Sequence, residues 1–138
     1  MIRIVIDTSV LVSAVISPNG PNARMFDLVS GGTVRPYLSD AVLAEYYDVF
    51  EHKHLNHLDK RRIARLRGLL EALGVKVKSP GRLKISSDET DNRVYECAYA
   101  AKAHYIVTEN TEDFPRPYKY TKIVTARQLL ALLKVEPK

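Results

Sequence analysis

Four acids in this chain fall where a folded protein could use them, and hydroxyls accompany them. The first is Asp7, in Asp7-Thr8-Ser9, directly after the apolar run Ile2 to Ile6 that only Arg3 interrupts. Such a run predicts a strand buried on both faces. In an open α/β sheet, ligands bind outside the carboxyl ends of the strands, which is where Asp7 stands. The competing reading is that Asp7, Thr8 or Ser9 merely caps the next helix. The second acid is Glu45. At 100° per residue it borders the arc of Val42, Leu43, Tyr46, Val49 and Phe50, so it either snorkels outward or leans towards Asp7. The third, Asp91, shares a stripe with Val94, Ala98 and Ala101, the side that should pack on the sheet. A carboxylate there should be neutralised or bound to a metal. Its neighbours Asp88 and Glu89 are accounted for by the helix dipole. The fourth comes from Val107-Thr108-Glu109-Asn110-Thr111-Glu112-Asp113-Phe114, again after a buried strand. Asn110, Glu112 and Asp113 are all within reach there.

Carboxylates gathered within a few ångströms repel, and some must take up protons unless a cation lies between them. Oxygen donors without an organised His or Cys set suit Mg²⁺ or Mn²⁺ rather than zinc. Such ions act mostly on phosphates, where they hold the scissile group and lower the pKa of a bound water.

The elements that must bring these acids together are readable from periodicity and punctuation. Val10 to Ile16 opens a helix that the Ser17-Pro18-Asn19-Gly20-Pro21 cluster breaks, and Asn22 is expected to cap the next, ended by Gly31-Gly32. Val34 to Leu38 reads as a strand that tolerates Pro36 only near an edge or end. Ser39 or Asp40 caps a helix to about Glu51, and another runs from about Leu58 to Leu73. Val75 to Lys78 alternates as a strand. An alanine-rich helix runs from Asp88 or Thr90 to about Ala103, and His104 to Thr108 is a buried strand. A polar loop with one turn of helix covers Glu109 to Pro117. Lys122-Ile123-Val124 is the last strand, and Thr125 caps the closing helix. Strands alternating with helices imply a parallel sheet covered on both faces, with right-handed crossovers.

With 138 residues, 46% hydrophobic and 27% charged, the chain is expected to form one domain spanning 1–138 without disulfides. Cys97, the single cysteine, reads as a small core residue. No apolar run approaches membrane length and no signal peptide is evident, so the expectation is a cytoplasmic protein with no membrane partner. The net charge is +5, a modest excess that favours phosphate-bearing partners.

The pattern resembles the PIN-domain family of metal-dependent ribonucleases, in particular its VapC-like branch of toxins from toxin–antitoxin pairs. The residues that carry the likeness are Ile4-Val5-Ile6-Asp7-Thr8-Ser9, Glu45 in its helix, Asp91-Asn92 with the alanine-rich helix, and Tyr105 to Pro115. The resemblance implies a three-layer α/β/α sandwich around a central parallel sheet of about five strands. It implies Mg²⁺- or Mn²⁺-dependent cleavage of RNA by water attack, with Asp7, Glu45 and Asp91 as the three main acids. Asp113 matches the fourth, and Thr8, Ser9 and Thr108 match the hydroxyls that orient the cluster. The family also implies a homodimer and a small antitoxin that holds it inactive. Many relatives carry Gly-Asp where this chain has Glu109-Asn110, so Asp113 is the fourth acid or the neutral Asn110 takes its role, which leaves the number of metals open.

Other clusters invite other readings. His52, His54 and His57 do not share one helical face and read as a solvated linker rather than a zinc site. His104, opening a strand, reads as structural. Lys60, Arg61, Arg62, Arg65 and Arg67 form the densest basic run, a solvated helix face or a track for phosphates. Arg116, Lys119 and Lys122 follow the fourth acid and are expected to hold RNA near the metal, with Tyr118 and Tyr120 able to stack on unpaired bases. Two rival functions remain. One is a PIN-like module that binds RNA or protein and cuts nothing, which the neutral Asn110 favours. The other is phosphoryl chemistry on small molecules through a modified Asp after the first strand. The Asp-x-Asp of that chemistry is missing, because Ser9 follows Asp7 by two.

Overall fold

Strand β1 (Ile2–Ile6) is the middle of the molecule, with Ile4, Val5 and Ile6 wholly buried. Around it lie β2 (Val34–Leu38), β3 (Val75–Lys76), β4 (Tyr105–Val107) and β5 (Lys122–Val124). All pair in parallel, in the order β3-β2-β1-β4-β5. The structure, a computed structural model, describes residues 1–51, 57–79, 81, 83–86, 88–114 and 117–133. Among the described residues, six helices flank the sheet: α1 (Thr8–Ile16), α2 (Pro21–Ser30), α3 (Asp40–Phe50), α4 (Lys60–Leu73), α5 (Glu89–Ala101) and α6 (Ala126–Leu132). Helices α1, α2, α4 and α6 pack into one layer, α5 packs on β1, β2 and β4, and α3 touches both α1 and α5. The expected three-layer α/β/α sandwich with five parallel strands is the fold of this chain. Among the described residues, no helix is long and apolar enough to cross a membrane.

The strand order reverses direction at β1. The chain steps outward from β1 to β2 and β3, then returns to the other side of β1 for β4 and β5. That reversal opens a crevice between the carboxyl ends of β1 and β4, the place where open α/β sheets take their ligands. Ile6 pairs with Val107 there, so Asp7 and Thr108 emerge side by side.

Local chemistry explains most boundaries. Ser39 caps α3 by accepting from Val42 N at 3.2 Å, and Thr125 with Gln128 forms a capping box on α6. Three expectations shift. Asn22 does not cap α2: Gly20 holds that position, Pro21 is the first helical residue, and Asn22 is buried in the first turn, as suits a proline at N1. Pro36 lies in an inner strand, yet β3 pairs only with Tyr37 and Leu38, so position 36 is beyond its reach. Helix α5 ends at Ala101 because Lys102 turns left-handed, with φ 52°. His104 is structural as expected: its Nδ1 accepts the Arg3 N–H at 3.0 Å.

Candidate active site

Asp7 occupies the N-cap position of α1, but its side chain caps nothing. Its Oδ2 instead accepts from the hydroxyls of Ser9 at 2.7 Å and Thr108 at 2.8 Å. Thr108 is wholly buried. Having donated to Asp7, its Oγ1 accepts the Asn110 N–H at 3.0 Å, while the Ser9 Oγ accepts the Glu109 N–H at 3.1 Å. Two hydroxyls thus tie the carboxylate of one strand end to the backbone of the loop leaving the other. The capping role is taken by the backbone alone, which leaves the Asp7 carboxylate for the crevice.

A cleft of about 670 Å³ opens over this point. Asp7, Glu45, Asp88, Asp91, Glu109 and Asp113 line it, and with them come Thr8, Ser9 and Asn110. Helix α3 supplies Glu45 and the first turn of α5 supplies Asp91, each half-buried. The 3₁₀ turn Thr111–Asp113 supplies Asp113, which is exposed. Burial, followed by the charges of Asp88, Asp7 and Asp113, pushes Asp91 up from 3.8 to about 7. Glu45 is also raised, by burial first and then by Asp48, Asp7 and Asp88. These mutual effects place the side chains within one another's field although they come from four separate segments. A smaller recess of about 160 Å³ adjoins Asp7 and Glu45 on the side of Tyr46, Arg93 and Val94.

The donor set fits a hard divalent ion: carboxylate, hydroxyl and carboxamide oxygens line the cleft, with no imidazole or thiolate among the described residues. Burial first, and then the neighbouring carboxylates, raise one member of the set, Asp91, to about 7. Among the described residues, however, no three acidic, imidazole or thiol side chains converge into a ready-made cage. Mg²⁺ typically binds through one or two carboxylates and keeps several waters, so a ready-made cage of three is not required of its site.

All four sequence-derived acids line one cleft, together with Thr8, Ser9 and Asn110, and Thr108 lies beneath it. From the loop after β4, Glu109 lines the cleft where Glu112 was a candidate, and Asp88 is the residue that sequence reasoning set aside. It caps α5 with Oδ1, accepting from Thr90 N at 2.8 Å and Asp91 N at 3.3 Å, and it also lines the cleft and raises both Asp91 and Glu45. Its capping position was visible in the sequence, and nothing there distinguished a cap that also faces the cleft. The cations are placed elsewhere. Lys122 opens β5 at the amino edge of the sheet, opposite the acids, and Lys119 lies in the turn before it. Arg116, His52 and His54 lie outside the described residues.

Comparison with known proteins places the chain further. Residues 3–112 match the sequence profile described as PIN domain. The chain is 30% identical over 104 residues to an uncharacterised protein of Methanocaldococcus jannaschii, a match covering 74% of this chain and 67% of that protein. Among solved structures it is similar to VapBC2 from Rickettsia felis bound to a promoter DNA fragment, with TM-score 0.58, 19% identity, and coverage of 88% of this chain and 98% of that one. DNA-bound VapBC from Salmonella typhimurium gives TM-score 0.57 and 15% identity, covering 89% and 98%. The RRP44 PIN domain of T. brucei gives TM-score 0.50 and 12% identity, covering 96% and 81%. At these identities the likeness to the solved structures is one of fold.

Proposed function

This chain belongs to the PIN-domain family, and on that premise we propose that it is a ribonuclease that hydrolyses RNA phosphodiesters with Mg²⁺ or Mn²⁺ at the cleft between β1 and β4. The family is one of nucleic-acid hydrolases that generally use divalent metals. The observation that supports the reading most is the state of Asp91: a carboxyl raised to about 7 by burial and by Asp88, Asp7 and Asp113. Such a group, beside an Asp7 whose Oδ2 accepts from two hydroxyls, marks a site whose charge calls for a cation.

Asp7, Glu45 and Asp91 would hold the ion, with Asp113 or the neutral Asn110 completing the set. The chemistry a bound divalent ion supplies is activation of water and neutralisation of charge at the scissile phosphate. The chain's own part is orientation and exclusion. Ser9 and Thr108 fix the Asp7 carboxylate so that it meets its ligand without rearranging. The six acids of the cleft repel phosphate until their charge is offset, which makes engagement of the scissile group conditional on the cation. The VapBC neighbours support a small antitoxin as a partner, and the family reading carries with it a homodimer.

The test is calorimetric titration with Mn²⁺ alongside cleavage of unstructured RNA. Wild type should bind Mn²⁺ and cut, and Asp7→Asn should lose cleavage by more than about 100-fold while melting as a folded protein. A wild-type protein that binds neither Mn²⁺ nor Mg²⁺ would sink the reading. A second reading, an RNA- or protein-binding module without catalysis, draws support from the lack of a preformed three-ligand cage among the described residues. RNA binding without cleavage in either metal would favour it.

A further inference from the structure

The two edges of the sheet carry opposite charge. Against the acids of the carboxyl edge, the amino edge gathers Arg3 at the start of β1, Lys102 at the end of α5 and Lys122 at the start of β5. Arg3 is spent on structure, its guanidinium donating to the Lys102 carbonyl at 2.9 and 3.0 Å. Lys102, Lys119 and Lys122 are exposed, and among the described residues none of them forms an ion pair.

A row of aromatic rings runs from the cleft to this edge. Phe114, next to Asp113, meets Tyr95 with ring centroids 5.3 Å apart, and Tyr95 meets Tyr118 at 6.3 Å. Tyr118 meets Tyr99 at 5.8 Å, and Tyr99 lies beside Tyr120 at 6.3 Å with planes only 9° apart. Asp91, Tyr95 and Tyr99 stand at i, i+4 and i+8 on one ridge of α5, so Tyr99 is about 12 Å along the helix from Asp91. Exposure rises along the row: Phe114 and Tyr95 are buried, whereas Tyr99 is 45% and Tyr120 50% exposed.

Core packing accounts for the inner rings. It does not account for two parallel rings left half in water and fringed by unpaired lysines. Their position is held firmly, because the Tyr120 hydroxyl donates to the Tyr99 carbonyl at 3.1 Å and the Thr121 hydroxyl to the Ala103 carbonyl at 2.7 Å. Lys119 Nζ sits 5.6 Å from the Tyr118 ring centroid.

We propose that Tyr99 and Tyr120, with Lys102, Lys119 and Lys122 around them, form a platform on which unpaired nucleobases stack, anchoring one RNA strand that runs along α5 to the acid cleft. The proposal rests on the ribonuclease reading for its substrate and names that substrate as single-stranded. Flat rings accept any base by its π-face, and lysines follow the phosphates. A duplex keeps its internal bases stacked on each other and offers them no such face. The acid cleft repels phosphates, so the strand needs an anchor away from it, and the amino edge supplies one within a few nucleotides.

The test is fluorescence anisotropy in EDTA, so that no strand is cut, with a labelled unstructured RNA of about 12 nucleotides and with its duplex. The Tyr99→Ala/Tyr120→Ala variant should bind the single strand more weakly by about fivefold or more per ring, with little change for the duplex. Tyr99→Phe, which keeps both rings and the hydrogen bond from the Tyr120 hydroxyl, should bind like wild type. Lys119→Gln and Lys122→Gln should each lower the slope of log K against log salt by about 0.7. If the alanine pair melts early, Tyr120→Ser alone carries the test by the same fivefold criterion. Wild-type affinity in the alanine pair overturns the proposal, as does an equal loss in Tyr99→Phe. Unchanged RNA affinity with loss of self-association in light scattering assigns the rings to a protein contact and also overturns it. Ring-dependent RNA binding without cleavage in Mg²⁺ or Mn²⁺ upholds the platform while the nuclease reading falls. Metal-dependent cleavage with ring-independent binding does the reverse.

Discussion

Asp7 Oδ2 receives two hydroxyl protons, and one of them comes from a threonine with no exposure to water. Thr108→Val keeps the shape of that side chain but leaves Asp7 with one donor and the Asn110 N–H without its acceptor. The expected cost is about 1–3 kcal/mol of stability and about 10- to 100-fold in Mn²⁺ affinity, read by thermal melting and calorimetry. Unaltered affinity would mean that Thr108 orients nothing. Asp91 makes a pH prediction. Its pKa in the fold, about 7, lies above the ordinary 3.8, so between these values the unfolded chain has released a proton that the fold retains. Stability therefore falls as pH rises from about 4 to 7, and the whole contribution is gone above that window. Without metal, Asp91→Asn should raise the melting temperature at pH 8, change it little near pH 4, and flatten the dependence between. Glu45, raised for similar reasons, leaves a residual slope of the same sign. A melting curve for Asp91→Asn that tracks wild type at every pH would refute the assignment.

At the scale of elements, α5 does more than carry Asp91. Its polar side chains bind the backbone of the described residues in the segment before it. Asn92 Oδ1 accepts from Ile85 N and Ser86 N, both at 2.8 Å, and its Nδ2 donates to the Ser86 carbonyl at 2.9 Å. Glu96, 1% exposed, accepts from Leu83 N at 2.9 Å and faces Arg93 at 3.5 Å. Arg93 in turn donates to the Gly81 and Leu83 carbonyls. This lacing sets the path by which the chain delivers Asp88 to the cleft. Asn92→Ala should cost about 1–3 kcal/mol and speed hydrogen exchange at Ile85 and Ser86, while exchange across β1 stays slow. Loss of protection spread evenly over the sheet would contradict a local role. At the other end of the sheet, Gly74 joins α4 to β3 in extended backbone. A Cβ there would press on the Leu70 carbonyl oxygen and come within 2.9 Å of Leu38 Cδ2, so Gly74→Ala is expected to cost about 1–3 kcal/mol by denaturant titration. The demand is close approach, since its φ of −70° is open to any residue.

At the scale of the whole molecule, the six acids of the cleft gather at the carboxyl ends of β1 and β4, while Lys102, Lys119 and Lys122, which among the described residues form no ion pair, lie at the amino edge. An ion bound only by the folded form stabilises by mass action, about 2.7 kcal/mol at 100 times its Kd. Mn²⁺ should therefore raise the melting temperature well beyond NaCl at matched ionic strength, and more at pH 8 than at pH 5.5, where protons compete for Asp91. Equal shifts with both salts would reduce the effect to screening.

The amino-acid order by itself determined the kinds of elements and their sequence, because the periods of 2 and 3.6 and the caps at Ser39, Asp88 and Thr125 are local properties of the chain. It also singled out Asp7, Glu45 and Asp91, since a carboxylate at a strand end or on a packing stripe conflicts with burial wherever it occurs. Only the tertiary structure decided that Asp88 both caps a helix and faces the cleft, that Pro36 fits an inner strand beyond the reach of β3, and that Lys119 and Lys122 lie on the side away from the acids. Those outcomes depend on strand order and register, which pair residues a hundred positions apart, as Asp7 with Thr108. Hydrophobic periodicity reports which face of an element is buried. It carries no record of which other element will cover that face, or of which end of the sheet a side chain will reach.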